Sequence, residues 1–273
     1  YADVSLARSG IIDSIGFEAA LANDIAAVRS VTPVALGDAS LSAWIGDVDG
    51  TGGIYYPKGA AAGLLLDIMI RHASDNRHSL DDVMRALYDT TYRSRWRGFT
   101  SADWWATVSR FAGTGPDAFA DFDRRYITGR EAMPLDSVLA LGGWRLLTDS
   151  VSEPRVGVST APGDDCSLVT RLVPGGAAAD AGVRMGDCVV SVGDVLVPTT
   201  NAWDAVRVRY AGTSLAQIGL VVRRAGQTLA LVMPVRLVTR TEVHLQEIPD
   251  ASARAVRVRQ GILHGKQTAL GPG

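Results

Sequence analysis

Lysine is nearly missing from these 273 residues: it occurs at Lys58 and Lys266, and every other basic residue is arginine. Histidine is scarce as well, with His72, His78, His244 and His264. None of the four lies in a His-Glu-x-x-His pair, the arrangement that sets two metal ligands on one helix face. His72 and His78 read as exposed helix-end residues beside the Asp75-Asn76-Arg77 turn. No Gly-x-Ser-x-Gly elbow and no phosphate-binding loop occurs, so serine-hydrolase and nucleotide chemistry have no support. The formal charge of -2 gives no electrostatic reason to expect nucleic acid or an anionic membrane. No apolar run approaches the roughly 20 residues of a membrane span. Two cysteines, Cys166 and Cys188, form no Cys-x-x-Cys pair; they read as small buried hydrophobes and leave the redox compartment open.

What is present is an ordinary globular balance, 47% apolar and 21% charged, in a length that suits about two domains. Tyr1 to Arg8 look like the middle of an amphipathic helix, with Val4 and Leu6 to Ala7 on one side. A free-standing domain seldom starts so abruptly, so the expectation is the C-terminal part of a longer protein, any targeting segment lying before it. Phe17, Leu21, Ile25 and Val28 form an apolar stripe that Pro33 ends. Asp38 to Gly53 is loop-like, with Trp44 and Ile45 as its anchor. Asp47-Val48-Asp49-Gly50 reads as a turn, since the later carboxylates of a calcium loop are missing.

Tyr55-Tyr56-Pro57-Lys58-Gly59-Ala60 then leads into an apolar run to Ile70. Pro57 suits the first turn of a helix, where its missing N–H has no partner anyway. The two tyrosines therefore stand where a loop becomes a buried helix. Ser79 with Asp82, and Thr100 with Asp103, are helix starts of the capping-box kind. Trp104, Trp105, Val108 and Phe111 make one core face, and Phe119, Phe122, Tyr126 and Ile127 another. A last short helix opens at Pro134 and stops at Gly142-Gly143.

After Leu146 the pattern turns to short strands: Arg155 to Val158, Ser167 to Thr170, Cys188 to Val192, Gln217 to Val222 and Thr228 to Val235. Between them, the stretch from Pro174 to Asp187 resembles the Pro-Gly-Ser-Pro-Ala-x-x-Ala-Gly-Leu-x-x-Gly-Asp run of PDZ domains, and Val192-Gly193-Asp194 resembles its sequel. Such a domain binds a peptide as an added strand and holds its terminal carboxylate on backbone amides. That implies a carboxylate loop at Arg155, Val156, Gly157 and Val158. The other groove wall would be the helix from Thr200 to Tyr210, with Trp203 and Val206 in contact. A groove that is empty, or filled by its own chain, is the other reading.

Taken in order, Tyr1 with Leu6 to Gly10, Trp44-Ile45, the Tyr56 stretch with Leu64 to Asp67, Ser79 to Met84, Gly98 to Thr100 and Tyr126 to Glu131 resemble the glycyl aminopeptidase family of zinc metallopeptidases, metallopeptidase family sixty-one, of the gluzincin type. The resemblance implies a multidomain fold. Residues 1–146 would be an all-α subdomain, the C-terminal part of a thermolysin-like catalytic domain; 152–238 would be a small β-rich PDZ domain, and 239–273 a tail. In the family a tyrosine two residues before the lysine stabilises the oxyanion, which implies Tyr56, with Tyr55 as the second candidate. The family's His-Glu-x-x-His and third-ligand glutamate would lie before residue 1. Zinc is thus implied for the complete protein and not for this chain, which would be inactive alone. The implied substrates are peptides with small N-terminal residues, glycine or alanine. The expected partners are peptide substrate, a peptide C-terminus at the groove and the missing upstream part. A bacterial periplasm is favoured over the cytoplasm. The competing reading is a non-catalytic protein of helical plus PDZ domains that docks peptide C-termini.

Overall fold

The computed structural model of the chain describes residues 1–47, 50–115, 117–163, 165–197 and 201–265. Val48 and Asp49 of the expected turn, Thr200 of the expected groove helix and the end from Lys266 onward lie outside the described residues. An all-helical part and a small β-rich domain form two compact units. The first comprises Tyr1–Thr148 and the chain from Val243 on, and the second is Asp149–Glu242.

The helical unit contains α1 (Ala2–Arg8), α2 (Ser14–Arg29), α3 (Leu36–Trp44), α4 (Tyr55–Ala73), α5 (Leu80–Leu87), α6 (Ser101–Ala112), α7 (Ala120–Phe122) and α8 (Leu135–Leu141). Helix α4 is its axle. Ala61, Leu65, Ile68 and Ile70 are buried, as are Leu64 and Leu66 on other sides, so the helix is apolar almost all round and must lie inside. It packs against α2, α3, α5, α6 and α8. Helix α5 starts at a capping box, where the Ser79 amide donates to Asp82 Oδ2 at 2.9 Å. Helix α6 starts at a second, where the Asp103 amide donates to Thr100 Oγ1 at 3.1 Å. Both starts follow the sequence pattern, because each satisfies amides that have no partner inside the helix.

Inside this unit lies a polar cluster. Arg71, 1% exposed, donates to Asp67 Oδ2 and to Asn76 Oδ1, each at 3.0 Å. Asp67 Oδ1 accepts the first amide of α5, from Leu80, at 2.7 Å. Asn76 Nδ2 donates to the Arg257 carbonyl at 3.1 Å. That carbonyl belongs to α11 (Ala253–His264), a helix within the stretch 239–273 expected as a tail. The alternation of Ala and Val with Arg fits a strand as well as a helix, and packing decides. As a helix, Ala255, Val258 and Ile262 fall on one buried face against α4. Gly261 is needed there, since a Cβ would lie 2.5 Å from both Arg71 Nη1 and Asn76 Oδ1.

Three further expectations are corrected, the first being the loop from Asp38, since Asp38 to Trp44 lie in α3. Trp44 and Ile45 anchor nothing: they are 83% and 56% exposed. His72 and His78 are half-buried rather than exposed; His78 packs on Phe111 with ring centroids 5.2 Å apart. Burial of His72, and Arg254 beside it, lower its pKa, while Asp75 opposes them.

The chain passes between the units along β1 (Trp144–Pro154) and β8 (Leu237–Glu247), which pair with each other. The second unit holds β2 (Val158–Pro162), β3 (Ser167–Leu172), α9 (Ala177–Asp180), β4 (Cys188–Val192), β5 (Val195–Leu196), α10 (Ala202–Arg209), β6 (Gln217–Arg224) and β7 (Gln227–Pro234). The sheet runs β2-β3-β4-β6-β7, with β5 beside β4. Val169, Val189, Val192, Leu220 and Val222 form its core with Ala177, Ala178 and Val206. Asp187, 1% exposed, explains the acid that ends the stretch from Pro174. Burial opposes its charge, yet bonds from Arg224 and from the Arg184 amide hold its pKa below the ordinary range.

Cys166 and Cys188 are bonded to each other, with Cα atoms 5.5 Å apart, which corrects their reading as separate buried hydrophobes. Neighbouring antiparallel strands bring them together, since Leu168 on β3 is the ladder partner of Cys188 on β4.

Reduction of this bridge, which spans a sequence separation of 22, is expected to lower the stability of the second unit by about 2–4 kcal/mol. Denaturant titration with and without a thiol reductant measures it; an unchanged midpoint contradicts the expectation. The helical unit is expected to lose stability on acidification below about pH 6.5, because the unfolded chain then binds a proton that folded His72 resists. His72→Gln should flatten that part of the pH profile of thermal unfolding.

Candidate functional site

Tyr55 and Tyr56 are the first two residues of α4. Tyr56 is 80% exposed, whereas Tyr55 is half-buried and packs on it with ring centroids 4.8 Å apart. Tyr56, Gly59, Ala60 and Gly63 follow the i, i+3, i+4, i+7 spacing that puts side chains on one helix face. Gly59, Ala60 and Gly63 line a cavity of about 550 Å³ in the helical unit. Tyr56 heads this stripe of small residues and does not itself line the cavity. Phe17, Leu21, Trp104, Trp105 and Ile127 supply apolar wall opposite, and Asp67, Asp81 and Arg8 supply charge.

Lys58 has a use that its rarity hinted at. It is 3% exposed, and its ammonium donates to the Val34 carbonyl. Burial lowers its pKa. The contact ties the segment before α3 to the first turn of α4, directly behind Tyr56. At the cavity mouth, Arg8 Nη1 pairs with Asp81 Oδ2 at 2.7 Å. The Tyr1 hydroxyl bonds to the same carboxylate, and desolvation together with Asp81 raises its pKa. Composition did not single out this trio; helical spacing on α1 and α5 was the available signal.

The second candidate lies in the β-rich unit. Arg155, Val156 and Gly157 form a loop, and the strand begins only at Val158. Gly157 has φ +82°, a conformation that costs other residues dearly. The Val156 and Gly157 carbonyls accept from Ala178 and Val173 at 2.9 Å. Their own amides donate to no backbone carbonyl among the described residues, which leaves two adjacent donors for an anion. Arg155 is exposed and makes no ion pair among the described residues. Trp203 on α10 is half-buried and donates from its indole nitrogen to Thr160 Oγ1 on β2 at 2.9 Å. Val206 is 1% exposed and Val156 8%; both side chains pack in the domain core. Thr160 was not legible beforehand, since a lone threonine in a strand carries no pattern.

The residues present do not fit a zinc site. Among the described residues one group of three ligand-type side chains comes together, Asp165, Cys166 and Cys188, and its two sulfurs are bonded to each other. No helix among the described residues is long and apolar enough to cross a membrane.

Residues 168–223 match the family model of the PDZ domain. No curated protein matches the chain. Over 96% of its length the chain is similar in fold to an aminopeptidase N family protein from Idiomarina loihiensis, at 19% identity and TM-score 0.55. It covers 46% of that protein, less than half of its length. A serine endoprotease from Yersinia pestis is matched over 32% of this chain and 30% of that one, at 20% identity and TM-score 0.27. An HtrA3 PDZ domain bound to a phage-derived ligand is matched over 36% of this chain and 92% of that one, at 14% identity and TM-score 0.26.

Gly157→Ala is expected to destabilise the second unit by about 1–2 kcal/mol, from the positive φ. The added Cβ also comes within 3.3 Å of Gly176 Cα. Thermal unfolding measures it, and an unchanged midpoint would mean that the loop turns without strain.

Proposed function

We propose that this chain is the C-terminal portion of a zinc-dependent aminopeptidase that removes small N-terminal residues, glycine or alanine, from peptides. In this reading Tyr56 stabilises the oxyanion and the β-rich unit is a peptide-binding PDZ domain. The zinc ligands belong to polypeptide upstream of residue 1, so no step on the metal is assigned to these residues. One observation carries the reading: a tyrosine hydroxyl stands open at the first turn of a buried helix, in line with the small residues that wall a cavity. A phenol packed away among helices has no access to a reacting carbonyl. The likeness in fold to the aminopeptidase N family protein supports the same class, and its greater length leaves room for the ligands elsewhere.

What this chain contributes is a fixed donor. As a nucleophile adds to a peptide carbonyl, negative charge gathers on the oxygen, and a hydroxyl already aimed there needs little reorganisation. Lys58 and the turn of α4 hold the backbone under Tyr56; Tyr55 packs against its ring. The Cys166–Cys188 bridge supports an oxidising compartment such as the periplasm.

A second reading, a non-catalytic protein that docks peptide C-termini, is favoured by the paired amides of Val156 and Gly157. The two readings separate on the upstream sequence, where a His-Glu-x-x-His pair and a later glutamate are expected only for the enzyme.

Tyr56→Phe in the full-length enzyme is expected to lower kcat by about 100-fold or more, from the loss of about 3 kcal/mol of oxyanion stabilisation, with KM little changed. A kcat near the native value assigns Tyr56 a structural role. Tyr55→Phe should have the smaller effect.

A further inference from the structure

One face of the helical unit carries a row of bare aromatic rings. Helix α5 continues into a π-helical stretch, Tyr88–Arg93. The rings of Tyr88, Tyr92 and Trp96 follow one another along it, with centroids 5.5 and 5.3 Å apart. All three are exposed, Trp96 by 80%. Neither phenol hydroxyl nor the indole nitrogen has a hydrogen-bond partner among the described residues. Trp96 has φ +49°, and its amide donates to the Tyr92 carbonyl at 2.8 Å, so it holds the left-handed place that ends a helix. Glycine ordinarily takes that place, because a side chain strains it. Here the largest side chain takes it and turns to solvent, an arrangement that folding alone does not call for.

The charge around the row is mostly of one sign. From Arg85 to Arg97, four arginines stand against one acid, Asp89. Arg85, Arg93 and Arg97 pair with Asp82, Asp89 and Asp103. Arg95 is exposed and makes no ion pair among the described residues. We infer that this row is a docking surface for an acidic, proline-rich peptide segment in the polyproline II conformation. A strand ligand needs a free backbone edge, which a helix does not offer, and a helical ligand needs an apolar groove rather than a row of rings. A polyproline helix needs neither. Its proline rings lie on aromatic faces, and its carbonyls, unpaired within the helix, accept from the Tyr88 and Tyr92 hydroxyls and the Trp96 indole N–H. The two steps from Tyr88 to Trp96 cover one turn of such a helix, roughly 9 Å. An acidic residue beside the prolines supplies the partner that Arg95 lacks. Aromatic rings with arginines also stack the bases of a single nucleic-acid strand, but the chain's net charge of -2 disfavours a partner charged at every unit.

The test uses the whole chain and a fluorescently labelled peptide of Pro-x-x-Pro repeats flanked by glutamates, with binding read by anisotropy. Two control peptides replace its prolines by alanine or its glutamates by lysine. Native protein is expected to bind either control at least about tenfold more weakly. Trp96→Gly removes the ring and suits the positive φ, so it should unfold no earlier than the native chain on heating, yet lose binding by a similar factor. Arg95→Glu leaves every ring in place and should reverse the charge preference, favouring the lysine peptide. Equal binding by the native protein and both variants overturns the inference, as does failure of the native protein to bind the glutamate peptide. Tighter binding of an oligothymidylate than of that peptide assigns the face to nucleic acid, and a native dimer that Trp96→Gly makes monomeric assigns it to a second copy. Either result overturns the inference.

Discussion

A carboxylate and a guanidinium one helical turn apart, Asp67 and Arg71, are 7% and 1% exposed, and much of the helical unit is fixed by what they bond. Burying two charges is unfavourable unless every lone pair and proton finds a partner. Here the partners come from three places in the sequence. Asp67 takes the opening amide of α5, Arg71 takes Asn76, and Asn76 takes a carbonyl of α11. A slip of any of these elements by one residue would strand a buried polar group. The cluster therefore specifies register as much as it adds stability.

Fixing α4 at its far end has an effect at its near end. The helix cannot turn about its axis without breaking the cluster, so the face that carries Gly59, Ala60 and Gly63 stays toward the cavity, with Tyr56 one turn before them. Lys58 holds the first turn from the other side through the Val34 carbonyl. Two buried polar contacts at opposite ends of one helix thus position an exposed hydroxyl between them and solvent. The β-rich unit follows the same logic with Asp187: a buried carboxylate held by Arg224 closes the turn before β4.

Periodicity made the helices of the first unit and the strands of the second legible, because apolar spacing and capping residues are local. Ser79 with Asp82 and Thr100 with Asp103 announced their helices, and the run from Pro174 to Asp187 announced its domain. The organising stretch at Tyr55 and Tyr56 was legible for the same reason, since Pro57 and the apolar run behind it mark a helix start. Features that depend on distant partners were not legible. Residues 253–264 carry a pattern that suits strand or helix, and only the buried face against α4 decides. Trp44 and Ile45 looked like an anchor because large apolar residues usually are one, yet burial is a property of neighbours. Cys166 and Cys188 needed a strand pairing before their distance was known, and Trp203 needed Thr160. Val206 turns to the core side of its helix, which helix membership alone does not reveal.

The helical unit is interrupted in sequence: it stops at Thr148 and resumes only at Val243. A ribosome must therefore finish the whole β-rich insert before α11 exists to cover its seat on α4. Until then the nascent helices carry an open apolar patch and an Asn76 side-chain amide without the Arg257 carbonyl that accepts from it. The insert can close its own core during that wait, since its strands are complete before α11 is made. Order of manufacture thus lets the β-rich unit close its core before the last helix of the other unit is made.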